Sequence, residues 1–140
     1  MPFREKSAWI QISALFLGGM FYFRTVLKAW SESGQLVSPE APLILGYTCI
    51  LVVIAIVGHI GVVALAPKDA DAPVDERERI IFYRAGHYSS YVIVAGALMS
   101  LGLFILTKSG DLLFYTVFAS LVVGQIVEYV FQILFYRTSV

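Results

Sequence analysis

The chain has 140 residues, of which 59 % are hydrophobic and 14 % are charged, against about 25 % charged in an ordinary soluble domain. This composition excludes a soluble enzyme. Ten basic residues balance ten acidic ones, so the chain lacks the basic field typical of nucleic-acid-binding proteins, and we expect no direct nucleic-acid partner. The single cysteine, Cys49, excludes an internal disulfide and any Cys-rich metal site.

Four apolar segments are long enough to cross a bilayer, which takes about 20 apolar residues. Because backbone polar groups in lipid must be paired within the protein, these segments predict transmembrane helices. We therefore expect an all-α fold, a four-helix bundle in a single transmembrane domain. No proline interrupts a span, so we expect continuous helices. The predicted spans are 8–27, 43–66, 82–106 and 112–136.

The basic residues predict the orientation of the chain, because loops rich in Lys and Arg stay in the cytoplasm. Three of the ten lie in one set of loops, and the other seven lie on the side of both termini. Both termini are therefore expected in the cytoplasm. The three are Arg24, Lys28 and Lys108; the seven are Arg4, Lys6, Lys68, Arg77, Arg79, Arg84 and Arg137.

The predicted cytoplasmic loop 67–81 carries most of the charge and runs directly into the third span. Asp75 and Glu78 have the spacing of a capping box, which predicts a helix start near Glu76, outside the membrane. This helix end either is simply solvated or forms a docking surface for a cytoplasmic partner. The candidate docking residues are Asp75, Glu76, Arg77, Glu78 and Arg79. At the other side of the membrane, Asp111 is expected to cap the fourth helix and to pair with Arg24.

Several sequence stretches resemble those of a family of small four-span bacterial membrane proteins that has only a domain-of-unknown-function label. The stretches are KSAWI, GHIGVVALAPKDAD, DERERII, YRAGHYSSYVIVAGAL and the final FYRTSV. The resemblance covers nearly the whole chain and implies residence in the bacterial inner membrane. It implies no catalytic residues. Members are often encoded beside small helix-turn-helix regulators, which implies a cytoplasmic regulator protein as a candidate partner.

Polar groups inside the spans are the candidate intramembrane site, since such groups are costly in lipid and usually face the helix bundle. His59, His87 and Glu128 lie about 8 to 12 Å inside their predicted helix ends, all in the same half of the membrane. Gln125 and Gln132 share a helix face with Glu128. We expect these five residues to form one buried polar cluster.

Four roles remain open for this cluster. Its members could only fix helix packing, each hydrogen-bonded pair contributing about 0.6 kcal/mol. Glu128 with His59 and His87 could instead carry protons or a cation, as in a small transporter. The two histidines could clamp a haem or a metal, and membrane-bound catalysis is the fourth role. No catalytic residue and no cofactor is assigned. The leading hypothesis is a membrane sensor or interaction protein acting through its cytoplasmic loop, with the bilayer, a regulator and a second copy of the chain as partners.

Overall fold

The computed structural model describes residues 3–65 and 73–138, and these residues form four long helices without a strand. The helices are α1 (Phe3–Ser33), α2 (Ala41–Leu65), α3 (Glu76–Thr107) and α4 (Gly110–Arg137). Each is long and apolar enough to cross a membrane. Every predicted span has its helix, and the helices are continuous. Residues 66–72, which include the end of the second predicted span and the APKDAD motif, lie outside the described residues.

The helix ends follow from local sequence chemistry. Asp75 is the N-cap of α3, and its backbone N–H donates to the Glu78 carboxylate at 3.3 Å. The predicted start of this helix at Glu76 is therefore confirmed. At the start of α4 the prediction was wrong: Ser109 is the N-cap and accepts from the backbone N–H of Leu112 at 3.2 Å. The serine precedes the first helical residue, as a cap must, while Asp111 already lies inside the first turn.

The four helices pack in the order α2, α1, α4, α3. Helices α1 and α4 are central: about a quarter of the residues in the most apolar stretch of each are buried. In α2 and α3 very few residues of that stretch are buried. Among the described residues, α2 and α3 share no interface comparable to the other three. The molecule is thus two helical hairpins, α1–α2 and α3–α4, joined through α1 and α4.

An aromatic cluster fills the space between the hairpins toward the α1–α2 turn. Tyr22 is fully buried at its centre. Its ring lies 4.7 Å from that of Phe118 and 5.9 Å from that of Tyr47, measured between centroids. Such aromatic pairs contribute about 0.5 to 1.5 kcal/mol beyond simple burial. The cluster therefore holds α1, α2 and α4 together at this level.

Helices α3 and α4 approach each other closely through small residues. The Ser89 hydroxyl of α3 donates to the backbone carbonyl of Gly124 at 2.9 Å, which requires that the backbone of α4 be near. A Cβ at Gly96 would overlap the Cβ of Ser120. Small residues at such crossings allow the dense packing that holds helices together in lipid.

Candidate functional site

Glu78 joins three helices at one end of the molecule. Its carboxylate lies 2.8 Å from Nε of Arg4 on α1 and accepts from the Tyr136 hydroxyl of α4 at 3.2 Å. Arg4 also lies over the Phe82 ring, 5.9 Å from its centroid. We call this end, formed by the first turns of α1 and α3 and the last turn of α4, the charged end. The first turn of α3 is fixed there by contacts to both central helices.

A second ion pair at the charged end joins α1 to α4. Glu5 is 4 % exposed, and its carboxylate accepts from Nε of Arg137 at 2.9 Å. The same guanidinium lies 5.9 Å from the centroid of the Trp9 ring. The Arg137 side chain is 56 % exposed, but loss of its charge would leave the buried Glu5 carboxylate without a counter-charge, which is destabilising. The pair therefore fixes the relative position of the two central helices.

The candidate docking residues divide into two groups. Glu78 is half-buried and turned inward to Arg4 and Tyr136. Its four companions are exposed: Asp75, Glu76, Arg77 and Arg79. The structure thus presents a short charged surface on a helix start that is fixed from beneath by Glu78.

Glu128 lies with its two predicted glutamine neighbours. Its Oε2 accepts from Nε2 of Gln125 at 3.4 Å, and its Oε1 accepts from Nε2 of Gln132 at 3.3 Å. Gln132 is buried and the other two side chains are partly buried. We call these three residues of α4 the polar stripe. No basic side chain of the described part of the chain forms an ion pair with this carboxylate.

His59 belongs to a different contact. Its Nε2 lies 2.7 Å from the Ser7 hydroxyl of α1, and its Nδ1 lies 2.7 Å from the Ala55 carbonyl of its own helix. Because a carbonyl only accepts, Nδ1 must carry a proton, and a neutral ring then accepts at Nε2 from the serine. Both ring nitrogens are satisfied without a charge. This arrangement fits a residue that fixes α2 on α1.

His87 lies apart from the other polar residues. It is exposed on α3, where its Nε2 lies 2.8 Å from the Tyr91 hydroxyl and its ring stacks on that of Tyr83 at 6.4 Å. All these contacts stay within α3. The expected five-residue cluster is therefore replaced by three groups: the polar stripe on α4, His59 with Ser7, and His87 with its tyrosines. Helix order separates His59 from His87, since α2 and α3 lie at opposite ends of the row. His87 is apart from Glu128 for a different reason: α3 packs on α4, but the His87 side chain is exposed.

The separation of His59 from His87 concerns the hypothesis that the two histidines bind a haem or a metal together. His59 and His87 belong to the two helices that share no comparable interface, and each has its own partners. In the described ranges, no group of three or more His, Cys, Asp or Glu residues is placed to hold a metal ion. The described residues thus offer no paired imidazoles of the kind that clamp a haem or a metal.

Three contributors to the charged end were missed by the sequence analysis. From the sequence, Arg4 counts only as a basic residue that predicts orientation, and no contact is assigned to Glu5 or Tyr136. Glu5 was a signal that could have been used. An acidic side chain at the start of a central helix is buried, and it then needs a basic partner. Only the helix order shows which residues supply that partner.

No family model, no curated protein and no solved structure matches the chain in the comparisons with known proteins.

Proposed function

We propose that the protein is a small multi-pass membrane interaction protein, which presents the start of α3 to a soluble partner protein. The observation that carries this proposal is the fixed yet exposed first turn of α3. Glu78 ties that turn to α1 and α4, while Asp75, Glu76 and Arg77 remain exposed. A preformed surface loses little conformational entropy when a partner binds, which favours recognition.

We further propose that the protein resides in the bacterial inner membrane with both termini in the cytoplasm. The excess of basic residues at the charged end supports this orientation. A cytoplasmic regulator is the partner class that the family resemblance implies. The mixed charge of the exposed turn favours a polar, electrostatically complementary contact over a large apolar one.

Site-specific photo-crosslinking tests the docking proposal. A photoreactive residue at Arg77 should capture one discrete soluble protein in intact cells, and the same residue at Ser31, on the opposite end of α1, should not. A Glu76→Lys variant should abolish that adduct by reversing one charge of the surface. The proposal fails if no adduct exceeds that at Ser31, or if charge reversal leaves it unchanged.

A second function, proton or cation handling, is favoured by the surroundings of Glu128. Its only hydrogen-bond partners in the described part of the chain are the amides of Gln125 and Gln132. A carboxylate at membrane depth without a counter-cation is stabilised by taking up a proton or a cation. We propose this transporter role as the alternative, centred on the polar stripe rather than on the histidines.

Proteoliposomes separate this alternative from a structural role of the stripe. Under an imposed potassium diffusion potential, negative inside, the wild-type protein should let protons enter the vesicles, and an internal dye should report the fall in pH. Glu128→Gln should abolish the flux while the melting temperature stays unchanged, since glutamine keeps the shape but holds no titratable proton. The matched control is Glu32→Gln, an exposed carboxylate at the other end of α1. Equal dye signals from wild type, both variants and empty vesicles would reject proton transport.

A further inference from the structure

The position of the last charged residue on α3 indicates where this helix enters the membrane. Residues 85–107 contain no Asp, Glu, Lys or Arg, and at 1.5 Å per residue they extend about 34 Å, close to the thickness of a hydrocarbon core. Arg84 therefore lies at the boundary with the lipid headgroups. The part of α3 from Glu76 to Arg84 extends about 12 Å at the same rise, so it crosses the headgroup layer and its first turn projects beyond it.

A shallow, open recess of about 720 Å³ lies on the surface of this part of α3 and is lined by residues of this helix alone among those described. Its polar lining includes Arg79 and Arg84, two of the three arginines of this part of α3, together with the hydroxyl-bearing Tyr83. Tyr83 is 78 % exposed. Tyrosine is enriched at the headgroup level, where its ring lies in lipid and its hydroxyl meets polar groups.

The two arginines of the recess have no carboxylate partner among the described residues. Arg4 and Arg137 of the charged end are both ion-paired, whereas within the described ranges no ion pair forms at Arg79 or Arg84, nor at the neighbouring Arg77. Glu76 also lines the recess, so the formal charge of the lining is +1. A ligand with one negative charge would neutralise it.

Deeper along the same face, α3 continues as a polar-to-apolar gradient. The stacked ring of His87 and the hydroxyl of Tyr91 follow Tyr83 at helical spacing. Beyond them come exposed apolar side chains, with Val94 at 56 % and Leu98 at 64 % exposure. Along this face, cationic side chains are followed by hydrogen-bonding groups and then by aliphatic side chains. This order matches that of the phosphate, the ester groups and the acyl chains in a phospholipid.

We propose that Arg79, Tyr83 and Arg84 bind the phosphate of one anionic phospholipid, whose acyl chains lie along Val94 and Leu98. Guanidinium groups bind phosphate through paired N–H donors, and the Tyr83 hydroxyl supplies a further donor. A zwitterionic lipid carries its own cation and leaves the lining charge uncompensated. The chemistry therefore selects a lipid with net charge −1, such as phosphatidylglycerol.

Native mass spectrometry and thermal melting of the full chain, purified in an uncharged detergent, test this proposal. Phosphatidylglycerol should remain bound in a one-to-one complex and should raise the melting temperature, whereas phosphatidylcholine should do neither. The double variant Arg79→Gln, Arg84→Gln should bind phosphatidylglycerol about tenfold more weakly or worse, since it loses both charge-assisted contacts. The matched control, Arg24→Gln with Lys28→Gln at the other end of α1, should bind like the wild type.

Additional variants and ligands distinguish lipid binding from misfolding and from binding of a free anion. The melting temperature of the double variant without lipid shows whether it folds; if it does not, Tyr83→Phe, which removes one donor and no charge, should still weaken lipid binding. Inorganic phosphate and glycerophosphoglycerol should not reproduce the thermal shift. An equal shift with inorganic phosphate would identify a site for a free anion, and an equal shift with phosphatidylcholine would show a non-selective lipid contact. Either result overturns the proposal, as does unchanged binding in the double variant or in a folded Tyr83→Phe.

Discussion

Two tyrosines of the aromatic cluster have hydroxyl groups in opposite situations. The hydroxyl of Tyr115 donates to the carbonyl of Val37 at 2.8 Å and so ties α4 to the α1–α2 turn. The hydroxyl of Tyr22, in a fully buried side chain, has no hydrogen-bond partner within the described ranges. A buried polar group without a partner costs stability, and the ring alone supplies the packing.

Tyr22→Phe should therefore leave the melting temperature in detergent unchanged or raise it. Tyr115→Phe, the matched substitution in the same cluster, should lower the free energy of unfolding by about 1 kcal/mol because a native hydrogen bond is lost. Thermal melts of both variants under one set of conditions make the comparison. An equal loss of stability in Tyr22→Phe would mean that its hydroxyl has a partner after all.

Two glutamates in ion pairs should respond very differently to neutralisation. Glu78→Gln removes the charge that holds Arg4 and Tyr136, and we expect a loss of about 1 to 2 kcal/mol, since the Glu78 side chain is only 18 % exposed. Glu32→Gln removes the partner of Lys28 from a pair whose side chains are 68 % and 75 % exposed, and should change stability by less than about 0.5 kcal/mol. Denaturation of both in the same detergent tests the difference, and similar losses would contradict the role given to Glu78.

The residue contacts that the sequence can predict are those within one helix. Glu128 and its glutamines are three and four residues apart, so the helical repeat alone brings them together. The position of His87 relative to Glu128 depends instead on which face of α3 packs against α4, and His87 is not on that face. Counting residues from each helix end gives the depth of a side chain in the membrane, but not its distance from a side chain on another helix. The sequence therefore predicted one five-residue cluster, whereas the structure has three groups.

At the scale of the helices, hydropathy indicates the part that lies in the membrane rather than the ends of the helix. The first predicted span is 8–27, whereas α1 runs from Phe3 to Ser33. The backbone hydrogen bonds of a helix also form outside the hydrocarbon core, so the helix continues into water until a capping signal ends it. The start of α3 was predictable to the residue since Asp75 and Glu78 provide such a signal.

The glycines of α3 provide a test of its packing on α4. Gly96→Ala should destabilise the protein by about 1 to 3 kcal/mol, because its Cβ would overlap Ser120 on the neighbouring helix and the backbones would have to separate. Gly102→Ala, on the same helix, meets nothing within 4 Å and should be neutral or stabilising by up to about 1 kcal/mol through helix propensity. Chemical denaturation measures both, and a destabilising Gly102→Ala with a neutral Gly96→Ala would reverse the assignment of the α3 interface.

At the scale of the whole molecule, the order α2, α1, α4, α3 could not be predicted from the sequence. In a soluble protein the apolar stripe of a helix indicates its buried face. In a membrane both the lipid-facing and the buried faces are apolar, so the stripe is weak and the neighbours of a helix are not encoded in a simple period. The exposed Val52 and Leu98, on α2 and α3, are as apolar as the buried Val122 of α4.

Thiol labelling tests the orientation of the molecule in the cell. With Cys49 replaced by alanine, Gln35→Cys in the α1–α2 turn should react with a membrane-impermeant maleimide in intact cells. Arg77→Cys at the charged end should react only after the cells are opened, because the excess of basic residues predicts that this end lies in the cytoplasm. Labelling of Arg77→Cys alone in intact cells would show the inverted orientation.

The ion pair between Glu5 and Arg137 has a consequence for biosynthesis. Its two residues are 132 positions apart, and ribosomes add about 5 to 20 residues per second, so the carboxylate emerges many seconds before its cation exists. During that interval the first hairpin can insert but cannot settle Glu5 in its final surroundings. Synthesis of the last turn of α4 is then the event that supplies the partner of Glu5, and a chain that stops short of Arg137 would leave this buried acid unpaired.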